Sequence, residues 1–412
     1  MYTIENHNKE DIVITGCGVT SAGSQGKKQF TSVLLNGKNN FGVMARPGRQ
    51  KDSSYIGAEI PSLVYPEHIS KKTIRTASFS GKAAMVTIDE AWNEAKLNLV
   101  DSERIGLIIG GSNFQQRELM TKYEKYYGNT YFIPPTYALS YMDSDVCGFC
   151  TEQYGINGLA YTVGGASASG QVAILQAIQA VQSGQVDVCI ALGALMDLSY
   201  LECQAFRSLG AMGTELYKEE PERSSRPFDR DRDGFIFGES CGAVVIEKLN
   251  TAIERHLKPY ASITGWSMVI DGNRNPNPSY DGEVRAIKEA LQKADLEPGA
   301  IDYINPHGTG SIIGDETEIR AIHACKLNHA FINATKSVIG HGLSAAGTVE
   351  VIATLMQMKE GRLHPTRNLE NPIDSTLNWV RQESIPHCIQ NAINISIGFG
   401  GVNTALCLQR IQ

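Results

Sequence analysis

The chain has 412 residues, 42% of them hydrophobic and 20% charged, with a net charge of −7. That length can bury a large core and exceeds the usual single domain, while the acidic balance argues against nucleic acid as a partner. No apolar run approaches the roughly 20 residues that span a membrane; residues 1–9 lack the apolar core of a signal peptide, and nine cysteines without such a signal suggest reduced thiols in the cytoplasm.

Residues 11–16 (DIVITG) predict a short apolar strand, and Gly16, Gly18 and Gly23 open the loop after it. Helical periodicity follows over 80–97, then apolar strands at 105–110 and 186–192, with a helix over 171–183 between them. Residues 242–247 read as another strand. Helical patterns over 282–293, 316–325 and 345–359 precede a last strand at 393–397. Such near-continuous apolar strands suit a sheet covered on both faces, and their alternation with helices implies an α/β fold with parallel sheets. The polar stretch 217–233 is the longest charged loop. A division near residue 250 splits the chain into halves, 1–250 and 251–412.

Five segments carry chemistry. Ser167 stands in TVGGASASG (162–170), directly before Val172, Leu175, Ile178 and Val181, which reads as a tight turn entering a buried helix. A hydroxyl there sits by a helix N-terminus, where free N–H groups and the dipole favour negative charge. Residues 226–239 read RPFDRDRDGFIFGE. His307 lies in NPHGTGS (305–311), followed by Asp315 and Glu318. His341 closes KSVIGH (336–341), followed by Ala345, Gly347 and Glu350. IGFGGVN (397–403) ends the series. Each histidine alone also reads as a turn residue or a helix cap, Lys336 as a surface lysine and Glu350 as a helix-face glutamate.

In order and spacing these segments, from about residue 11 to 407, resemble the β-ketoacyl synthases, the condensing enzymes of fatty acid and polyketide synthesis. The resemblance implies a thiolase-type fold, in which two similar α/β halves make a five-layered αβαβα core, normally as a homodimer. It implies that His307 and His341 hold a malonyl thioester carbonyl and stabilise the enolate formed when carbon dioxide leaves, a task for two donors converging on a developing oxyanion. Lys336 and Glu350 would belong to the charge network behind them. Phe399 would be the gate, its N–H joining that of Ser167 in an oxyanion hole. Thr309, Gly400 and Arg274 are assigned to the substrate. No metal and no separate cofactor are implied, because the substrate brings its own phosphopantetheine on an acyl carrier protein. Lys71, Lys72 and Arg75 read either as a solvated face or as the carrier's docking patch.

The family normally has cysteine where Ser167 stands. A thiolate is populated near neutral pH and intrinsically reactive, whereas a serine hydroxyl needs an adjacent base, so acyl loading should be slow or absent. Decarboxylation needs only the histidines and the oxyanion hole. That pattern resembles the serine-containing decarboxylating ketosynthase homologues of polyketide β-branching cassettes, which turn malonyl on a carrier protein into acetyl. The alternatives are a condensing synthase whose cysteine was exchanged for serine, and a non-catalytic partner subunit like the chain-length factors, which generally lose the histidines. Three departures stand out: Gly165 within GGASASG, Ile397 in place of the closing turn's first phenylalanine, and 272–276 where the family's HxTxP stretch would fall. Arg274 in that stretch reads as a carboxylate or phosphate partner or as a solvated loop arginine. Cys147 and Cys150 form a lone CxxC, read as packing.

Overall fold

The computed structural model describes residues 8–274 and 276–411, and in it the chain lays down one sheet pattern twice. The first run supplies β1 (Ile12–Ser21), β2 (Ile105–Gly110), β3 (Ala160–Val163), β4 (Val188–Gly193) and β5 (Ser240–Lys248), ordered β3-β2-β4-β5-β1. The second supplies β6 (Ala261–Ile270), β7 (Tyr303–Asn305), β8 (Phe331–Ile332), β9 (Asn391–Gly398) and β10 (Val402–Arg410), ordered β8-β7-β9-β10-β6. Directions agree as well: β2 and β7 are parallel to both neighbours, and β5 and β10 antiparallel to both of theirs. The two sheets touch where β1 meets β6, through Val13 with Ser262 and Ile14 with Ala261.

Each run also repeats a bulge. Register slips between Ile14 and Gly16 in β1 and between Ile263 and Gly265 in β6. A β-carbon on Gly16 would stand 2.8 Å from Ala91 O, and one on Gly265 would stand 2.2 Å from Ala290 O. Both glycines let a covering helix lie close to the strand: α1 (Phe79–Glu94) on the first sheet and α3 (Tyr280–Ala294) on the second.

Between the sheets run α2 (Ser169–Gln182) and α5 (Ala346–Glu360), while α4 (Ile312–Ala324) packs beside α3 on the outside. Gly170 of α2 faces Thr348 N of α5 so closely that a β-carbon would meet it at 2.8 Å. Strand alternation then feeds two cores at once. Ile108, Ile246, Leu406 and Leu408 point into the central core with α2 and α5, whereas Leu107, Ile109 and Val245 face α1, and Ile393, Ile395 and Cys407 face α3. The layers are therefore α, β, α, β, α, and burial on both faces is why the strands read as unbroken apolar runs.

The expectation of parallel sheets is corrected: each sheet is mixed. The reversal at β9 and β10 is a tight hairpin through Gly400 and Gly401, with φ of 92° and 83°, and no crossover helix intervenes to restore direction. Boundaries differ modestly. The expected strand 11–16 runs on to Ser21, and helix 80–97 stops at Glu94 because Lys96 adopts φ 50°. Cys147 and Cys150 are buried and free in helix Ser144–Tyr154. Among the described residues no helix is long and apolar enough to cross a membrane.

Candidate active site

The repeat places a short turn before each central helix: Ala166–Ala168 before α2 and Leu343–Ala345 before α5. Ala166 and Leu343 both adopt the left-handed region, φ 47° and 53°, a conformation that costs a non-glycine residue of order 1 kcal/mol. Ser169 Oγ staples the first turn, accepting the Gly165 N–H at 2.9 Å and donating to Ala166 O at 2.7 Å. Ser167 sits at its centre. His341 lies two residues before Leu343, and its Nε2 is 2.9 Å from Ser167 Oγ. The Leu343 N–H points at His341 Nδ1, 3.4 Å away. A ring nitrogen that accepts carries no hydrogen, so the proton is on Nε2, and the imidazole donates to the serine oxygen.

His307 completes the pair, its ring centroid 5.5 Å from that of His341 and nearly perpendicular to it. Burial holds both imidazoles well below the ordinary histidine range, with the Lys336 cation lowering them further, so both are neutral at physiological pH. Lys336 Nζ donates to His307 O at 2.5 Å and forms an ion pair with Glu350. Glu318 cradles the same loop, accepting the N–H of His307 at 2.5 Å and of Gly308 at 2.8 Å. Asp315 accepts the Phe228 N–H at 2.6 Å and the Gly310 N–H at 3.1 Å.

The 226–239 segment straps both histidine loops. Gly234 N–H donates to Gly310 O at 3.0 Å, and His341 N–H donates to Ile236 O at 2.7 Å. Its arginines are tied by ion pairs, Arg226 to Asp229 within the segment and to Glu370 outside it, and Arg232 to Glu316 on α4. Glu318 carries no role in the sequence reading; its signal is position, eleven residues after His307 and one turn beyond Asp315 on α4.

A cavity of about 520 Å³ opens on these groups, lined by Ser167, His307, Thr309, His341, Ile397 and Phe399 among others. The β9–β10 hairpin rests on the Ser167 turn, where a β-carbon on Gly398 would stand 2.0 Å from Gly165 O. Phe399 is 42% exposed, its ring 6.3 Å from that of Phe206, so it borders the cavity and packs in no core. Two residues assigned to the substrate stand off the cavity wall. Gly400 turns the chain at the exposed hairpin tip, and Gly401 lines the cavity instead. Arg274 is exposed and outside the cavity wall, to which its loop contributes Pro276, Asn277 and Pro278; Asn275 of that stretch lies outside the described residues. Lys71, Lys72 and Arg75 are exposed on the short helix Lys71–Thr76, capped by Ser70. Among the described residues no group of three or more His, Cys, Asp or Glu side chains is arranged to hold a metal ion.

Residues 9–252 match the Beta-ketoacyl synthase, N-terminal domain, and residues 260–370 match its C-terminal domain. The chain belongs to the β-ketoacyl synthase family. Among its members it is 62% identical, over 98% of each chain, to the "Polyketide biosynthesis malonyl-ACP decarboxylase PksF" of Bacillus subtilis (strain 168). It is 31% identical to the "3-oxoacyl-[acyl-carrier-protein] synthase 2" of a Synechocystis strain, over 99% of this chain and all of the other. A β-ketoacyl synthase from Burkholderia phymatum STM815 superposes with a TM-score of 0.88 at 26% identity, over 98% of this chain and all of that one.

In this β-ketoacyl synthase no serine triad is built among the described residues. His341 presents an N–H to Ser167, and its far nitrogen meets a backbone donor where a serine triad would place a carboxylate. Among the described residues the arrangement offers donors to an oxyanion, and with this tautomer His341 does not take the proton from the hydroxyl.

Proposed function

We propose that this enzyme decarboxylates malonyl-[acyl-carrier-protein] to acetyl-[acyl-carrier-protein] in polyketide biosynthesis, within a β-branching cassette. The observation that carries the reading is the pairing of Ser167 with a donating His341 beside a second neutral imidazole. The carrier's phosphopantetheine arm places the malonyl group in the cavity, where the thioester carbonyl accepts hydrogen bonds from His307 and His341. The bond to the carboxylate breaks, carbon dioxide leaves, and the electron pair passes into an enolate that the two imidazoles stabilise. Neutral donors suit this step, since they strengthen as the oxygen gains charge. Lys336, held between His307 O and Glu350, and Glu318 fix the His307 loop. The N–H groups of Ser167 and Phe399 form the oxyanion hole for the bound thioester, and Thr309 lies along the substrate. We assign Lys71, Lys72 and Arg75 to carrier docking, and take the enzyme as a cytoplasmic homodimer of two thiolase-like halves divided near residue 250. The 62% identity to a malonyl-ACP decarboxylase supports the reading.

The test is intact mass of a malonyl-loaded carrier protein with and without the enzyme. Conversion to the acetyl form is expected. A malonyl carrier that stays intact at enzyme levels fit for turnover would contradict the proposal.

A further inference from the structure

Loss of carbon dioxide leaves an electron pair on the α-carbon of an enolate, and acetyl forms only when that carbon receives a proton. A condensing enzyme has no such need, because the α-carbon attacks an acyl group. The proposed reaction therefore calls for a proton source beside the histidines.

Carboxyl groups crowd that side of the cavity. Glu318 and Asp315 on α4, and Asp271 after β6, line its wall. Glu283, in the first turn of α3, lies behind them, 1% exposed, and neither of its carboxyl oxygens has a hydrogen-bond partner. The nearby cations are already engaged: Lys336 with Glu350, and Arg232 3.9 Å from Asp315 and 2.8 Å from Glu316. Among the described residues no ion pair reaches Glu283 or Glu318. Two buried like charges without a counter-ion are costly, and such carboxyls keep a proton. Burial holds both groups above the ordinary carboxylate range. Glu283 is raised further by Glu318, Asp271 and Asp315, and Glu318 by Asp315; the His307 and Gly308 N–H groups and Lys336 act against the rise at Glu318. Each Glu318 oxygen that accepts one of those N–H groups keeps a second lone pair for a hydrogen.

We propose that Glu318, beside His307 on the cavity wall, keeps a proton because buried Glu283 stands behind it without a counter-ion, and delivers that proton to the α-carbon of the enolate. The Glu318 O–H bond breaks, the enolate's electron pair forms the new C–H bond, the thioester carbonyl is restored, and Glu318 is left as a carboxylate. Glu283, a positioning residue that touches no substrate, makes a second buried negative charge costly, and Glu318 takes a new proton from solvent through the cavity, so each turnover consumes one proton. The inference rests on the decarboxylase reading.

The experiment is the pH–rate profile of malonyl-carrier decarboxylation by the whole enzyme. The wild-type rate is expected to fall with rising pH as Glu318 loses its proton. Glu283→Gln removes the like charge, so Glu318 should lose its proton more readily and the falling limb should move to lower pH by roughly one unit or more. Glu318→Gln should lose rate at every pH. A limb that stays in place in Glu283→Gln, or a uniform drop with an unchanged profile, would overturn proton delivery by Glu318 under the influence of Glu283 and leave the decarboxylase reading standing. A wild-type rate that stays flat to about pH 10, near the intrinsic lysine value, would overturn it without any variant. Absence of carbon dioxide release at every pH would overturn the decarboxylase reading, and this inference with it.

Discussion

His341 donates from Nε2 to Ser167 Oγ over 2.9 Å, while the Leu343 N–H occupies its other nitrogen. One backbone amide thus sets the tautomer and decides the chemistry. With the proton on Nε2 the imidazole supports an oxyanion and cannot activate the serine. The same histidine beside a cysteine would face a group that ionises near neutral pH without help.

Ser167→Ala is therefore expected to keep substantial decarboxylation, losing at most the value of one hydrogen bond, roughly 0.5–1.5 kcal/mol. Ser167→Cys should gain a thiol that takes an acyl group or reacts with cerulenin-like electrophiles, which the wild type should not. Steady-state rates and the enzyme's intact mass after exposure check both.

His307→Ala or His341→Ala should each slow decarboxylation by about 10²–10³, the scale of losing one oxyanion donor. His341→Ala should still fold, since His341 lies in a loop at the cavity; circular dichroism separates the two effects. Full activity in either variant would contradict the assignment.

The rate should not change as pH falls through the ordinary histidine value near 6.5, because burial and Lys336 keep both imidazoles neutral to well below it. The acid limb should appear only lower, where protonation puts a hydrogen on His341 Nδ1 against the Leu343 N–H. An acid limb centred near 6.5 in the pH profile of kcat would show that these imidazoles titrate normally.

Charge reversal at Lys71, Lys72 and Arg75 should weaken use of carrier-bound malonyl more than of a small malonyl thioester. Added salt should shrink that difference, since exposed charges are screened within about 10 Å at 0.1 M. Equal losses on the two substrates, compared as kcat/KM, would remove these residues from docking.

Gly398→Ala should cost about 1–3 kcal/mol of stability as an overpacked contact and disturb activity beyond that. Its β-carbon would fall 2.0 Å from Gly165 O and push the hairpin off the Ser167 turn. Denaturant unfolding together with the decarboxylation rate reads both effects.

Apolar runs and helical spacing made most elements legible, because strands buried on both faces and helices packed on them leave unambiguous periodicity. The run at 105–110 coincides with Ile105–Gly110. Strand direction was hidden: a hydrophobic run carries no record of its neighbour, so the antiparallel pairs of β5 and β10 were invisible. In the site, His307 and His341 sit in glycine-flanked turns that the sequence marks plainly, and the fold brings them together. Glu283 was illegible, because its meaning depends on Glu318, 35 positions away on another helix. The places of Arg274 and Gly400 were illegible for a related reason: the motif locates the loop, but backbone geometry decides whether Gly401 or Gly400, Pro276 or Arg274, lines the cavity.

The most direct measurement is intact mass of enzyme and carrier together through a single turnover of malonyl-carrier. The account requires the carrier to lose carbon dioxide and become acetyl while the enzyme's mass never changes. An acyl adduct on Ser167, forming at a rate that matches turnover, would contradict it.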